Sequence, residues 1–374
     1  MKKVQISQVD VLFVNRIYPI EFLFYIKEGL DTKKIRNALE KLSGVFWPVF
    51  GEYKNGVISF EKYVEDDFYD EEVTGQDFAI PEKDGERFKM YSRYSPPDPK
   101  KLFFLKITQF RNGMIMVPKM NHLAGDGYSY FYFLSSLAAL SQHTFLPSKS
   151  SLIQLLSKPH HRRTILRNFS FVGTERKIPL QEIRPTMGME KVSRKDVNTL
   201  IREVAESKNY RISTNDVLSA MAVKKLVGFQ REIAAKFVEL SIPIDVRRRV
   251  KEYGRRFFGN ALMLHKMSLK KAEIENMSVE EIAVQIRESM PPVSKQTYTG
   301  YLMMLEKLIS DGKTEKLCPF DPASGYLVTN ISRLPVDRLN FGTGSPDLIF
   351  PLTIEKNAAA VLAQDENFIL RFAL

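Results

Sequence analysis

His122-Leu123-Ala124-Gly125-Asp126-Gly127 puts a histidine four residues before an aspartate, and the aspartate directly before a glycine. An apolar run, Met114 to Val117, leads in, and a nearly unbroken aromatic and apolar segment, Tyr128 to Leu140, leads out. That context predicts a strand running into a tight loop and then a buried helix, the alternation of an α/β fold. Such a loop can hold an imidazole rigidly at the mouth of a cleft. Of the five histidines, only His122 sits in a setting built for chemistry.

The flanking segments extend the α/β pattern in both directions. Leu102 to Phe110 and Gly113 to Met120 are β-rich runs joined by Arg111-Asn112, a hairpin that feeds the loop. Upstream, Gln5 to Val14 is expected as a strand, and Asp31 caps a helix with Ile35, Leu39 and Leu42 on one face. Val57 to Phe60 follows the Asn55-Gly56 turn as a short strand. Downstream, Pro159, Pro179, Pro185 and the run His160 to Arg163 change the texture between Ser148 and Thr186. The expected division is therefore an N-terminal domain over residues 1–155, a crossover linker over 156–186, and a C-terminal domain over 187–374. In the second half, Ser193 opens a helix through Val197, Leu200, Ile201 and Val204, with Asp196 in its first turn. Ser213 or Thr214 caps another bearing Val217, Leu218, Met221 and Ala222, and Ser278 with Glu281 forms a capping box ahead of Ile282 and Ile286. Strands are expected over Val238 to Val246, Ala261 to Leu269, Gly325 to Ile331, Leu348 to Ile354 and Ala358 to Ala363.

Composition narrows the function classes. At 374 residues the chain suits two domains, and 44% hydrophobic with 26% charged residues describes a soluble globular protein. No apolar stretch approaches the roughly 20 residues of a membrane span, and Gln5, Ser7, Gln8 and Asp10 interrupt any signal-like segment behind Lys2-Lys3. A cytoplasmic protein with no membrane partner is expected. The single cysteine, Cys318, excludes an internal disulfide framework and reads as a small buried hydrophobe. His122, His143, His160, His161 and His265 lack metal-ligand spacing, so no metal site is expected. The net charge of +11 gathers at His160 to Arg163, Arg247-Arg248-Arg249 and Arg255-Arg256. No nucleic-acid-binding motif accompanies these clusters. Most read as solvated surface, and a small phosphorylated co-substrate remains open for the rest.

A histidine titrating near neutrality suits a general base acting on a hydroxyl or an amine. Asp126 could orient that imidazole as in a triad, or turn away and anchor the loop through an arginine. Gly125 and Gly127 offer backbone freedom, and Gly127 lets the next helix begin close to the site.

Taken together with other segments, the loop resembles the HxxxDG motif of the BAHD acyltransferases, within the superfamily of chloramphenicol acetyltransferases and condensation domains. Asn340-Phe341-Gly342-Thr343-Gly344 resembles the family's Asp-Phe-Gly-Trp-Gly segment. Val328 to Pro335, Ile212 to Ala220, Ile244 to Arg249 and Phe257-Phe258-Gly259-Asn260 are similar to further family segments, in the family's order. The resemblance spans nearly the whole chain. It implies two chloramphenicol-acetyltransferase-like domains, each a mixed sheet flanked by helices, with a channel between them. It also implies acyl transfer from acyl-CoA as co-substrate, with no resident cofactor, to the hydroxyl or amine of a small-molecule acceptor. A monomer with no nucleic-acid partner is expected.

By the same resemblance, His122 is the base, with Asp126 and Gly127 supporting the loop and Arg247 the expected partner of Asp126. Ser213, Thr214, Arg247, Arg249 and Asn260 are expected on the CoA side, and Thr329 near the acceptor or developing oxyanion. Asn340 and Thr343 depart from the family's aspartate and tryptophan, which implies a changed domain contact. Ile331 stands where a channel-lining tryptophan often sits. The apolar content of Asp365 to Leu374 suits a strand, whereas the resemblance favours a closing helix. Two alternatives accompany the acyl-CoA reading. One is a condensation-type enzyme with a carrier-bound donor; those often carry a second histidine where this chain has Asn121. The other is a non-catalytic binding protein on the same scaffold.

Overall fold

The computed structural model describes residues 1–14, 19–81, 86, 90, 93–94, 101–142, 160–161, 187–229, 236–254, 256–313, 316–334, 336, 339–352 and 356–373. In chain order the first half forms β1 (Lys2–Gln5), a 3-10 turn (Asp10–Phe13), β2 (Pro19–Ile26), α1 (Thr32–Val45), β3 (Glu52–Lys54), β4 (Val57–Phe60), β5 (Tyr69–Val73), β6 (Phe103–Phe110), β7 (Gly113–Asn121) and α2 (Gly127–Ser141). After β8 (His160–His161) come β9 (Met187–Ser193), α3 (Arg194–Lys208), α4 (Thr214–Phe229), β10 (Phe237–Asp245), β11 (Phe257–Phe258) and β12 (Leu262–Lys270). The chain continues with α5 (Lys271–Asn276), α6 (Val279–Ser289), α7 (Lys295–Ser310), β13 (Gly325–Asn330), β14 (Leu348–Pro351), β15 (Ala358–Gln364) and β16 (Asn367–Ala373).

Two mixed sheets carry the α/β architecture. The first runs β14-β2-β7-β6-β5, antiparallel except for the β5–β6 pair. The second runs β12-β10-β13-β15-β16-β9, with parallel pairs at β10–β13 and β13–β15. Local chemistry places their boundaries. The Asp31 carboxylate accepts the Lys34 N–H at 3.0 Å and starts α1. Asn55 and Gly56 both take positive φ, 48° and 78°, the geometry of a tight hairpin turn between β3 and β4. Ser278 and Glu281 close the capping box of α6.

The second half does not pack only against itself. β14 adds an edge strand to the first sheet through Leu348↔Tyr25 and Pro351↔Phe22. Val246, Val250, Phe257, Phe258 and Tyr298 join the core formed by α1, α2 and the first sheet. A separate core lies between the second sheet and α3, α4 and α6. Strand alternation then decides what faces the first half. Tyr326, Val328 and Ala359 point into that second core, while Leu327, Thr329, Ala358 and Ala360 lie on the opposite face and line a cavity.

Two expectations are corrected. Gln5 to Val14 is not one strand: β1 ends at Gln5, and Asp10–Phe13 winds into a 3-10 turn. Ser7 Oγ accepts the N–H groups of Val9 and Asp10, and Asp10 Oδ2 accepts the Ser7 N–H, which pulls the backbone out of the extended form. The C-terminal segment is strand β16 and not a helix; Asp365, at φ 50°, turns the chain back from β15. Alternation puts Phe368, Leu370 and Phe372 into the second core, a period that a helix could not satisfy. The linker expected over 156–186 lies outside the described residues except for β8, which pairs with β11. No helix among the described residues is long and apolar enough to cross a membrane.

Candidate active site

The HxxxDG loop connects the end of β7 to the start of α2. Asn121 Oδ1 accepts the Leu123 N–H at 2.9 Å, turning the chain as it leaves the strand. Asp126 caps α2 by accepting the Ser129 N–H at 3.0 Å. Its carboxylate also receives both Arg247 Nη1 and Nη2 at 2.8 Å and the Ala261 N–H at 2.9 Å. Ser129 Oγ donates to the Gly259 carbonyl at 2.8 Å and accepts the Gly259 N–H at 3.0 Å and Arg247 Nη2 at 3.1 Å. One buried knot therefore ties the loop to segments more than a hundred residues away.

Burial pushes the Asp126 carboxyl up, yet the Arg247 charge and its N–H donors outweigh that and hold it below the ordinary carboxylate range. The glycines serve space more than backbone freedom, since neither Gly125 nor Gly127 takes positive φ. A Cβ on Gly125 would stand 2.7 Å from Ser129 Cβ, so only glycine lets the loop fold this closely onto the first turn of α2.

His122 is held by other partners. Its ring stacks on Phe13, with centroids 3.7 Å apart and planes inclined by 15°. Nδ1 lies 3.1 Å from Asn260 Oδ1. The Asn260 Nδ2 donates to the His122 carbonyl at 2.8 Å and to Asp10 Oδ1 at 2.9 Å. With two acceptors on Nδ2, the carboxamide oxygen must face the ring, so Nδ1 carries the proton and Nε2 keeps its lone pair. Burial pushes the imidazole below its ordinary pKa, against the Asp126 charge and the hydrogen bonds that favour the cation. A ring so shifted is uncharged at neutral pH.

His122 lines a cavity of about 260 Å³ between the two sheets. Phe13, Phe131, Leu262, Leu264, Ile331 and Leu334 give it apolar walls, and Thr329, Asn330, Asp245 and Glu21 supply polar groups. Glu21, 1% exposed, pairs with Lys119 at 2.8 Å.

Of the expected site residues, the structure brings His122, Asp126, Gly127, Arg247 and Thr329 to this cavity. Arg247 is spent on Asp126, on Asp245 at 3.2 Å and on the Gly259 carbonyl at 2.8 Å, and it lies over the Tyr128 ring. Asn260, expected on the CoA side, is fully buried, with both amide hydrogens engaged and its oxygen on the His122 ring. Arg249 is exposed on the turn after β10. Ser213 precedes α4 and Thr214 begins it, but the helix start is already occupied by a carboxylate. Asp216 Oδ2 accepts the Ser213 N–H at 2.6 Å and Arg287 Nε at 2.8 Å. Asn215 reaches the cavity edge, accepting Asn330 Nδ2 at 3.0 Å. Asp10 and Phe13 were not anticipated at all; the Ser7–Asp10 spacing that bends the chain there was the available signal. Among the described residues, no group of three His, Cys, Asp or Glu side chains could hold a metal.

The model of the Transferase family matches residues 76–367. TRI101 of F. sporotrichioides, crystallised with coenzyme A and T-2, superposes with a TM-score of 0.75 at 14% identity over 99% of this chain and 94% of that one. Vinorine synthase gives a TM-score of 0.69 at 17% identity over 100% and 90% of the two chains. The first condensation domain of the calcium-dependent antibiotic synthetase gives 0.59 at 13% identity over 100% and 91%. A search of curated protein sequences returns no match.

Proposed function

Because the chain belongs to the Transferase family of BAHD acyltransferases, we propose that it moves an acyl group from acyl-CoA to a hydroxyl or amine of a small molecule, with His122 as the base. The observation that carries the reading is the His122 ring, which lines the cavity with Nδ1 held by Asn260 and so leaves Nε2 for an acceptor. An acceptor O–H or N–H within about 2.6–3.2 Å of Nε2 can give up its proton there as its heteroatom attacks the thioester carbonyl. The tetrahedral intermediate collapses with cleavage of the C–S bond. The CoA thiolate leaves and takes the proton back from the imidazolium, giving acylated acceptor and free thiol.

Each neighbour has a distinct role in this scheme. Thr329 offers a hydroxyl to the developing oxyanion, a contribution of roughly 3–4 kcal/mol for a well-aimed donor. Asp126 anchors the loop through Arg247 and favours the imidazolium by its charge. The exposed Arg249 and the α4 start at Ser213 and Thr214 are the proposed contacts for the CoA phosphates; a phosphate at α4 would compete with the Asp216 carboxylate for the Ser213 N–H and for Arg287. We keep the division into residues 1–155 and 187–374, with β14 exchanged into the first sheet.

The test is thiol release from a panel of acyl-CoAs, with alcohol and amine acceptors. Acceptor-dependent release from acyl-CoA is expected. Transfer only from an acylated carrier protein would replace this reading with the condensation type, and ligand binding with no turnover from either donor would replace it with a non-catalytic one.

A further inference from the structure

Asp10 is 4% exposed and has no part in the chemistry above, yet it faces the side chain that holds the imidazole. Its two carboxylate oxygens take different donors: Oδ2 accepts the Ser7 N–H at 2.8 Å, and Oδ1 accepts Asn260 Nδ2 at 2.9 Å. A carboxamide has two orientations that differ only by exchange of oxygen and nitrogen. At Asn260 the choice falls to Asp10 Oδ1 and the His122 carbonyl, both acceptors. We propose that Asp10 is a positioning residue for His122: by fixing the Asn260 carboxamide it fixes the proton on Nδ1 and keeps Nε2 bare. The role of Nε2 in turnover rests on the acyltransferase reading; the tautomer itself does not.

The carboxylate is suited to this because it is acceptor-only at both oxygens. In Asp10→Asn, one oxygen would confront two donors. If it stays with the Ser7 N–H, the new NH₂ faces Asn260 and favours the flipped carboxamide. The flipped form presents its own NH₂ to His122 Nδ1, which must then accept, and the ring proton moves to Nε2. The His122 carbonyl opposes the flip, so a mixture of tautomers is expected. The substitution also removes a negative charge. The charged groups that face the ring or its cavity are Asp10 from the 3-10 turn, Asp126 from its own loop, Arg247 after β10, Glu21 from β2 and Asp245 from β10.

The experiment is NMR of full-length protein labelled with ¹⁵N-histidine, at a pH where the imidazoles are neutral. His122 signals are identified by their loss in His122→Gln. Wild type is expected to carry the proton on Nδ1, and Asp10→Asn to show a substantial Nε2–H population. In the same variant, kcat for thiol release from acetyl-CoA should fall at least about tenfold, inside the roughly 10²–10⁴ that a general base supplies. KM for acetyl-CoA should stay within about twofold. A wild-type ring protonated on Nε2 overturns the proposal whether or not the variant folds. So does a folded Asp10→Asn with the wild-type tautomer, including one that is merely less stable. If no donor yields thiol, the acyltransferase reading fails while the tautomer result still decides the role of Asp10.

Discussion

Replacing Asp126 with asparagine separates an anchor from a catalytic partner. The Asp126–Arg247 pair is nearly sealed, with side-chain exposures of 7% and 2%, and both contacts are 2.8 Å. Removing one member of a buried pair costs about 3–5 kcal/mol, because the other charge stays buried. Arg247 would retain Asp245 at 3.2 Å, itself 47% exposed, so about 3 kcal/mol is expected. Asparagine also brings one oxygen where four N–H donors converge, two on each carboxylate oxygen, and its NH₂ must face two of them. Urea unfolding followed through Trp47, the single tryptophan, reports on this region because Trp47 packs against the first core. The pH dependence follows from the depressed carboxyl pKa. The stabilisation is fully present above the unfolded value near pH 3.9 and is lost as pH falls through the lower folded value, so the gap between wild type and variant should narrow below about pH 4. A destabilisation under about 1 kcal/mol together with a large loss of rate would refute the anchor and make Asp126 a direct partner in the chemistry.

Burial lowers the His122 pKa, so kcat/KM should stay level as pH falls to about 6.5 and decline only below it; a midpoint above 6.5 would contradict the neutral, desolvated ring. Ala360→Leu adds three carbons to the cavity wall and should cut kcat/KM for the bulkiest substrates of the panel about tenfold or more. An unchanged panel would remove β15 from the substrate site. Asn340→Asp should shift stability by no more than about 0.5 kcal/mol, because among the described residues its side chain is used through the Oδ1 acceptor, which receives the Gly342 and Gly344 N–H groups at 2.8 and 3.1 Å. A gain well beyond that in chemical denaturation would show that the aspartate's charge matters there.

Features governed by neighbours in sequence were legible in advance: the hairpin into the loop, the Asp31 and Ser193 caps, and the Ser278 box. Helix α7 was overlooked although Tyr298, Leu302, Leu305 and Ile309 recur at helical spacing behind the Ser294 cap. At the C-terminus, the alternation of Phe368, Leu370 and Phe372 was the better guide, and the family analogy misled. Asn260 was picked out, but its contact with the imidazole was not. Its oxygen acts on a ring 138 residues away, and no local pattern encodes that approach. The same applies to Asp10, whose segment carries apolar residues that mimic a strand until the side-chain hydrogen bonds of Ser7 and Asp10 are counted.

In the proposed reaction a neutral His122 takes the acceptor's proton through Nε2. The direct test is kcat for thiol release from acyl-CoA by wild type and His122→Ala under saturating substrates. A general base at this position requires a loss of roughly 10²–10⁴ with acyl-CoA still bound, and a folded His122→Ala that turns over at the wild-type rate would contradict that role.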